Sequence, residues 1–112
     1  MQLVFEWDEG KARANLRKHR VSFDEAVSVF SDTLARIFMD EEHSTHEQRE
    51  IIIGHSPAKR LLLVFFTEPV KGRIRIISAR RATRGEQHDY EEHTSSQNQG
   101  ETVGRDVARI QF

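Results

Sequence analysis

The sequence predicts an α+β protein: an N-terminal strand, two helices, a four-stranded antiparallel meander and a C-terminal helix. Three observations carry this. Asp8 and Ser22 each stand at the head of a stretch with helical apolar spacing. From Leu34 the apolar period changes to two, or to continuous runs broken by short polar turns. Thr83-Arg84-Gly85-Glu86 then opens one more helical stretch.

Residues 2–7 read as a short strand with Leu3, Phe5 and Trp7 on one face. Asp8 is an N-cap for a helix over 9–19, on which Ala12, Leu16 and His19 make the core stripe. Lys11, Asn15 and Lys18 occupy a neighbouring face, and Arg13, Arg17 and Arg20 a third. Ser22-Phe23-Asp24-Glu25 is a capping box, and Phe23, Ala26, Val27 and Phe30 form the buried face of the helix it starts. Strands follow at Leu34–Met39, Gln48–Gly54, Leu61–Thr67 and Arg73–Ala79. The run LLLVFF is apolar on both faces and belongs in the middle of the sheet. Short links between strands imply antiparallel neighbours, with both early helices on one face of the sheet. The last helix spans 84–93, its one sizeable apolar side chain is Tyr90, and it should dock weakly. Residues 1–93 form the folded domain, and the polar stretch 94–112 reads as a flexible tail.

At 112 residues, 37% hydrophobic and 31% charged, the chain is one domain with a modest core. It has no cysteine, which excludes disulfides and thiolate metal sites. No signal-peptide pattern or membrane-length apolar run is present, so a soluble cytoplasmic protein is expected. The net charge of −1 hides a segregation. Residues 11–20 hold five basic groups and no acid, and residues 59–84 hold eight against the single acid Glu68. If the two segments meet in space, they form a cationic face of the kind that binds phosphates. Charge scattered over opposite sides is the plainer alternative, and composition does not choose between them.

Three stretches, FEWDEGKARANLRKHRVSFDEAVSVF, IIIGHSPAKRLLLVFF and RIRIISARRATRGEQHDYE, resemble the BrnT toxins in order and spacing across residues 3–92. Where that family usually has Gly after its Lys-His pair, this chain has Arg20, at the expected turn between the two helices. The stretch after about residue 93 has no family counterpart. The resemblance implies a ribonuclease toxin with a RelE-like fold. It implies a BrnA-type ribbon-helix-helix antitoxin as partner, commonly two toxins with two antitoxins, and a complex that reaches operator DNA through the antitoxin. RNA is then the substrate, no cofactor is expected, and no membrane is involved.

RNA cleavage without a metal needs a base for the 2′-OH, cations for the phosphate and an acid for the leaving oxygen. Arginine suits the phosphate because its planar fork binds two oxygens at once. Arg80, at the end of the last strand, is the leading catalytic candidate. Strict alternation puts Ile74, Ile76, Ser78 and Arg80 on one side and Ile77, Ala79 and Arg81 on the other. Arg49, in line with Ile51 and Ile53, is the second candidate. Each can equally be a structural arginine paired with Glu25 or Glu47. Lys18 and His19 complete the catalytic set, although His19 also fits a buried imidazole closing its helix. Lys11, Arg13, Arg17, Arg60, Arg81 and Arg84 are assigned to RNA-backbone binding. His43 with His46, and His88 with His93, match no metal-site spacing; they read as surface polar groups, with no compact trio of ligands and no metal. Asp40-Glu41-Glu42 reads as a solvated turn. A non-catalytic module that binds nucleic acid or antitoxin in a repressor complex would share the basic face. It is the alternative to an enzyme.

Overall fold

Asp8 and Ser22 cap as their positions predict. The Asp8 carboxylate accepts the Lys11 N–H at 2.9 Å and opens α1 (Glu9–His19); the Ser22 Oγ accepts the Glu25 N–H at 3.0 Å and opens α2 (Phe23–Ser28). A single 3₁₀ turn, Val29–Ser31, extends α2. The computed structural model describes residues 2–44 and 47–98, and the chain divides into two units, Met1–Arg81 and Ala82–Phe112. The first unit also holds the strands β1 (Val4–Glu6), β2 (Arg36–Met39), β3 (Arg49–His55), β4 (Leu61–Val70) and β5 (Arg73–Arg81). Another 3₁₀ turn, Glu41–His43, lies between β2 and β3.

The sheet is five-stranded and mixed, in the order β1-β5-β4-β3-β2. Strands β2 to β5 pair in succession, each antiparallel to the next, while β1 adds to the far edge parallel to β5, with Phe5 opposite Ile74. The expected meander therefore gains a fifth, parallel member, which sequence periodicity could place as a strand but not as a neighbour of β5. As LLLVFF implies, β4 is central, and Leu61 to Val64 are buried on both faces.

One face carries the core: Ile52, Leu62, Val64, Phe66, Ile74, Ile76 and Ala79 pack against Val21, Phe23, Ala26 and Val29. Burying each large side chain contributes about 1.5–3 kcal/mol. Edge-to-face rings tie the layers together: Trp7 on Phe23 at 5.8 Å, and Phe30 between Phe5 and Phe66, at 5.1 Å from each. Val29 replaces the expected Val27 and Phe30 as a fully buried position, because the tighter 3₁₀ turn rotates the face. Gly54 sits where strand and connection touch: an added Cβ would lie 2.9 Å from both the Ala35 Cβ and an Asp32 carboxylate oxygen.

The α1 stripe needs correction. Leu16 is 50% exposed, and the buried residue of α1 is Asn15. Its amide nitrogen donates to the carbonyls of Val21 and Ala79, both at 2.9 Å, and its oxygen accepts the Ala79 N–H at 3.1 Å. The pairing of β1 with β5 ends at Arg75, so the outer edge of β5 beyond it needs another partner. Asn15 supplies a donor and an acceptor there, standing in for one residue of a neighbouring strand. A leucine cannot do this, and so the polar residue faces inward.

Arg20 closes α1 in the left-handed conformation, φ 61°, with its N–H on the Leu16 carbonyl. Glycine adopts this conformation without strain, and Arg20 takes it at the expected turn between the two helices. In the second unit, Thr83 and Glu86 form a complete capping box, with N–H to side-chain bonds of 2.9 and 3.1 Å. The helix it opens, α3 (Arg84–Asn98), runs past the expected end at residue 93. Residues 99–112, the rest of the expected flexible tail, lie outside the described residues, as does His46. No helix among the described residues is long and apolar enough to cross a membrane.

Candidate active site

The site begins with an irregularity in β5. Along β4 and β5, Leu63 faces Arg80, Val64 faces Ala79 and Phe65 faces Ser78, but Phe66 faces Ile76. Ile77 is therefore an extra residue, a β-bulge, and it inverts the alternation that RIRIISARR suggests. Ile74, Ile76 and Ala79 all point into the helix-covered core. Ser78 and Arg80 share the other face with Leu63 and Phe65, and through β3 with Ile51 and Ile53. Strict alternation had put Arg80 with Ile74 and Ile76; the bulge separates them and re-aims the guanidinium.

On that second face a cleft of about 290 Å³ opens in the first unit. Arg49 of β3 and Arg80 of β5 both line it, together with Phe65, Ser78 and His19, the last residue of α1. The Arg80 guanidinium carbon lies 5.9 Å from the centre of the Phe65 ring, close enough for a cation–π contact, and its Nη1 donates to the Arg81 carbonyl at 3.3 Å. Partial burial, with the positive charges of Lys18 and Arg80 nearby, pushes the His19 imidazole below its ordinary pKa of 6.5. A histidine shifted this way is neutral at pH 7 and can accept a proton.

Two further groups line the cleft that the sequence reading did not select, Asp40 and His43. The His43 Nδ1–H donates to the Asp40 carboxylate, 2.9 Å from one oxygen and 3.2 Å from the other. The Asp40 side chain is 8% exposed and that of His43 56%. Asp40 is thus not part of a solvated turn. It closes one: its N–H donates to the Arg49 carbonyl at 2.8 Å, and the Ser44 hydroxyl donates to its carbonyl at 2.7 Å. The spacing Asp-x-x-His across a tight turn was the available signal, masked by the acidic run around it.

The remaining assignments divide. Lys11, Arg13, Arg17 and Lys18 are exposed along α1, as backbone-binding groups would be. Arg60 is not available in the same way. Its guanidinium forms a two-point ion pair with Glu25, whose second oxygen also accepts the Ser56 hydroxyl at 2.7 Å, and it donates to the Arg20 carbonyl at 2.9 Å. This pair holds Glu25 below the ordinary glutamate pKa, chiefly through the Arg60 hydrogen bond. Glu25, the structural partner weighed for Arg49 or Arg80, is taken by Arg60 instead. Arg81 is exposed at the end of β5, and its positive charge helps to lower the Glu25 pKa. Arg84 is exposed at the start of α3 in the second unit. On α3, His88, Asp89 and Glu92 bring ligand-type atoms within 4.8 Å of one another, a compact trio the sequence reading did not expect. His88 and Glu92, both largely exposed, stand 3.7 Å apart one helical turn from each other, as a surface ion pair does.

Residues 7–86 match the family described as ribonuclease toxin, BrnT, of type II toxin–antitoxin systems. A crystal structure of the Brucella abortus ribonuclease toxin BrnT superimposes with a TM-score of 0.55 at 24% identity, covering 75% of this chain and 99% of that one. The curated protein sequences contain no match. The structural likeness shows a shared fold, and the family match covers well over half the chain, including all of α1, the whole sheet except β1, and both cleft arginines. The chain belongs to the BrnT ribonuclease toxin family of type II toxin–antitoxin systems.

Proposed function

We propose that this chain is a metal-independent endoribonuclease toxin that cuts RNA by attack of the 2′-OH on the adjacent phosphate, and thereby inhibits translation. The observation that carries the reading is the convergence of Arg49, Arg80 and His19 on one cleft. Two guanidinium groups can bind the non-bridging phosphate oxygens and stabilise the charge that builds there. His19, uncharged at neutral pH, is the base for the 2′-OH, and Lys18 beside it adds positive charge. The nucleophile is internal to the substrate, so holding the ribose and phosphate in line supplies much of the rate. Magnesium sites in phosphoryl chemistry usually draw on carboxylates. Here the lining carboxylate, Asp40, is hydrogen-bonded to His43, and arginine supplies the positive charge. The exposed Lys11, Arg13 and Arg17 on α1 extend the cationic surface for the RNA backbone, which gives affinity without sequence preference.

The family membership supports a partner of the BrnA type, a ribbon-helix-helix antitoxin, in a complex of two toxins with two antitoxins that represses its own operator through the antitoxin. A RelE-like relationship of the fold belongs to the same reading. The test is incubation of the purified chain with total RNA in excess EDTA. New fragments ending in 2′,3′-cyclic phosphate are expected, and Arg80→Ala should abolish them while the chain stays folded. Intact RNA with a folded chain would refute cleavage of free RNA and return the binding-only alternative.

A further inference from the structure

Asp40 and His43 form a built arrangement that the ribonuclease reading does not use. A surface ion pair three residues apart is worth little and leaves both partners in solvent. Here the carboxylate is buried and the imidazole stands in the cleft. Backbone bonds hold the carboxylate in place: the Asp40 N–H on the Arg49 carbonyl, and the Ser44 hydroxyl, which also accepts the Arg49 N–H at 2.9 Å. The same turn therefore fixes Asp40, His43 and the start of β3 with its Arg49. Because Asp40 accepts the Nδ1–H, the ring orientation is set and Nε2 is the nitrogen left to exchange a proton.

We infer that His43 is a second catalytic histidine of this cleft, the acid that protonates the departing 5′-oxygen, and that Asp40 is its positioning residue. The inference rests on the ribonuclease reading above. The 2′-oxygen forms a bond to phosphorus and gives its proton to His19. The bond from phosphorus to the 5′-oxygen breaks, and that oxygen takes the proton from His43 Nε2. The products are a 2′,3′-cyclic phosphate and a 5′-hydroxyl, with no change of oxidation state. His19 then releases a proton to solvent and His43 regains one. The division of labour follows from the surroundings. His19 sits beside Lys18 and Arg80, which disfavour its charged form, whereas Asp40 fixes the His43 ring through Nδ1 and leaves Nε2 as the exchanging nitrogen.

The experiment uses the full chain and one short RNA that it cuts, prepared in two forms. In the second form sulfur replaces the 5′-bridging oxygen at the cut, so the leaving group departs as a thiolate and needs no acid. His43→Ala should lower kcat/KM on the oxygen substrate by about 10²–10⁴-fold. On the sulfur substrate the loss should be at most about tenfold on the same basis. Asp40→Asn should show the same selectivity with a smaller loss, which a merely structural defect would not. His43→Gln and thermal unfolding of each variant guard against misfolding, and with His43 more than half exposed, unfolding midpoints close to wild type are expected. Equal losses on both substrates, or no loss on the oxygen substrate, would overturn the inference and leave the ribonuclease reading standing. A wild-type chain that cuts neither RNA in EDTA would overturn both.

Discussion

Replacing Asn15 with alanine removes one small side chain and strips three backbone groups of their partner. These are the Val21 carbonyl and both the N–H and the carbonyl of Ala79. Asn15 is 6% exposed, while Val21 and Ala79 are fully buried, so water replaces the lost bonds poorly. Each intramolecular hydrogen bond is worth about 0.5–1.5 kcal/mol net, and a buried group left unsatisfied costs about 1–3 kcal/mol. Allowing for partial relaxation of β5, the loss should be about 2–4 kcal/mol, a large share of the 5–15 kcal/mol typical of a whole domain. Asn15→Asp should be as harmful for a different reason. A carboxylate can still accept the Ala79 N–H, but it faces two carbonyl oxygens with nothing to donate. Leucine, similar in volume and apolar, should not rescue either variant. Urea unfolding is the assay: the midpoint should fall with the slope unchanged, since the same surface is exposed on unfolding. A midpoint for Asn15→Ala equivalent to less than about 0.5 kcal/mol, within the range of ordinary surface changes, would refute the claim that this amide completes the edge of β5.

Three further outcomes follow from the same structure. Arg20→Gly should stabilise the chain by about 0.5–1 kcal/mol, because φ 61° strains a side-chain-bearing residue and suits glycine; the urea midpoint reads it. Glu25 ionises more readily when folded, so its ion pair with Arg60 stabilises above the ordinary glutamate pKa of 4.5, and this is lost as the pH falls through the lower folded value. Glu25→Gln should therefore cost stability at neutral pH and flatten that acid limb, seen in unfolding midpoints between about pH 7 and about pH 3. Glu50 has the opposite sign. Burial, with Glu68 nearby, raises its pKa, so the ionised form is penalised and stability falls as the pH rises through the folded value. Glu50→Gln should raise the urea midpoint at neutral pH, and the gain should vanish below 4.5.

What was legible in the sequence was what local chemistry specifies. The caps at Asp8, Ser22 and Thr83 make the hydrogen bonds their spacing predicts, and LLLVFF occupies the middle of the sheet. Arg80 was selected at the end of the last strand and Arg49 in line with Ile51 and Ile53, and both line one cleft. What stayed hidden depended on a distant partner. A helical wheel ranks Leu16 above Asn15 as a core residue, and only the bare edge of β5 reverses that order. Alternation in RIRIISARR cannot reveal that Ile77 is unpaired, since a bulge is fixed by the register with β4. Asp40 looked like one of three solvated acids because the Arg49 carbonyl that closes its turn is nine residues away. Arg60 looked like an available cation because Glu25, its partner, is 35 residues away in the chain.

The cleft and the stability of the fold are built from the same irregularities. Without the bulge at Ile77, Arg80 would follow Ile74 and Ile76 into the helix-covered core, where an unpaired charge costs several kcal/mol. With it, Ala79 turns inward, presenting a small side chain to the core and its peptide groups to Asn15. Asn15 lies one helical turn before His19, so the amide that satisfies β5 also sets where the imidazole stands relative to Arg80. On the other side, the turn that buries the Asp40 carboxylate also fixes the first residue of β3, which is Arg49. Each charged or titratable group of the cleft is thus positioned by a neighbour whose own hydrogen bonds the fold requires. Substitution of Asn15 should therefore lower both stability and activity. Substitutions at Arg49, Arg80 or His43, which the core does not use, should separate the two.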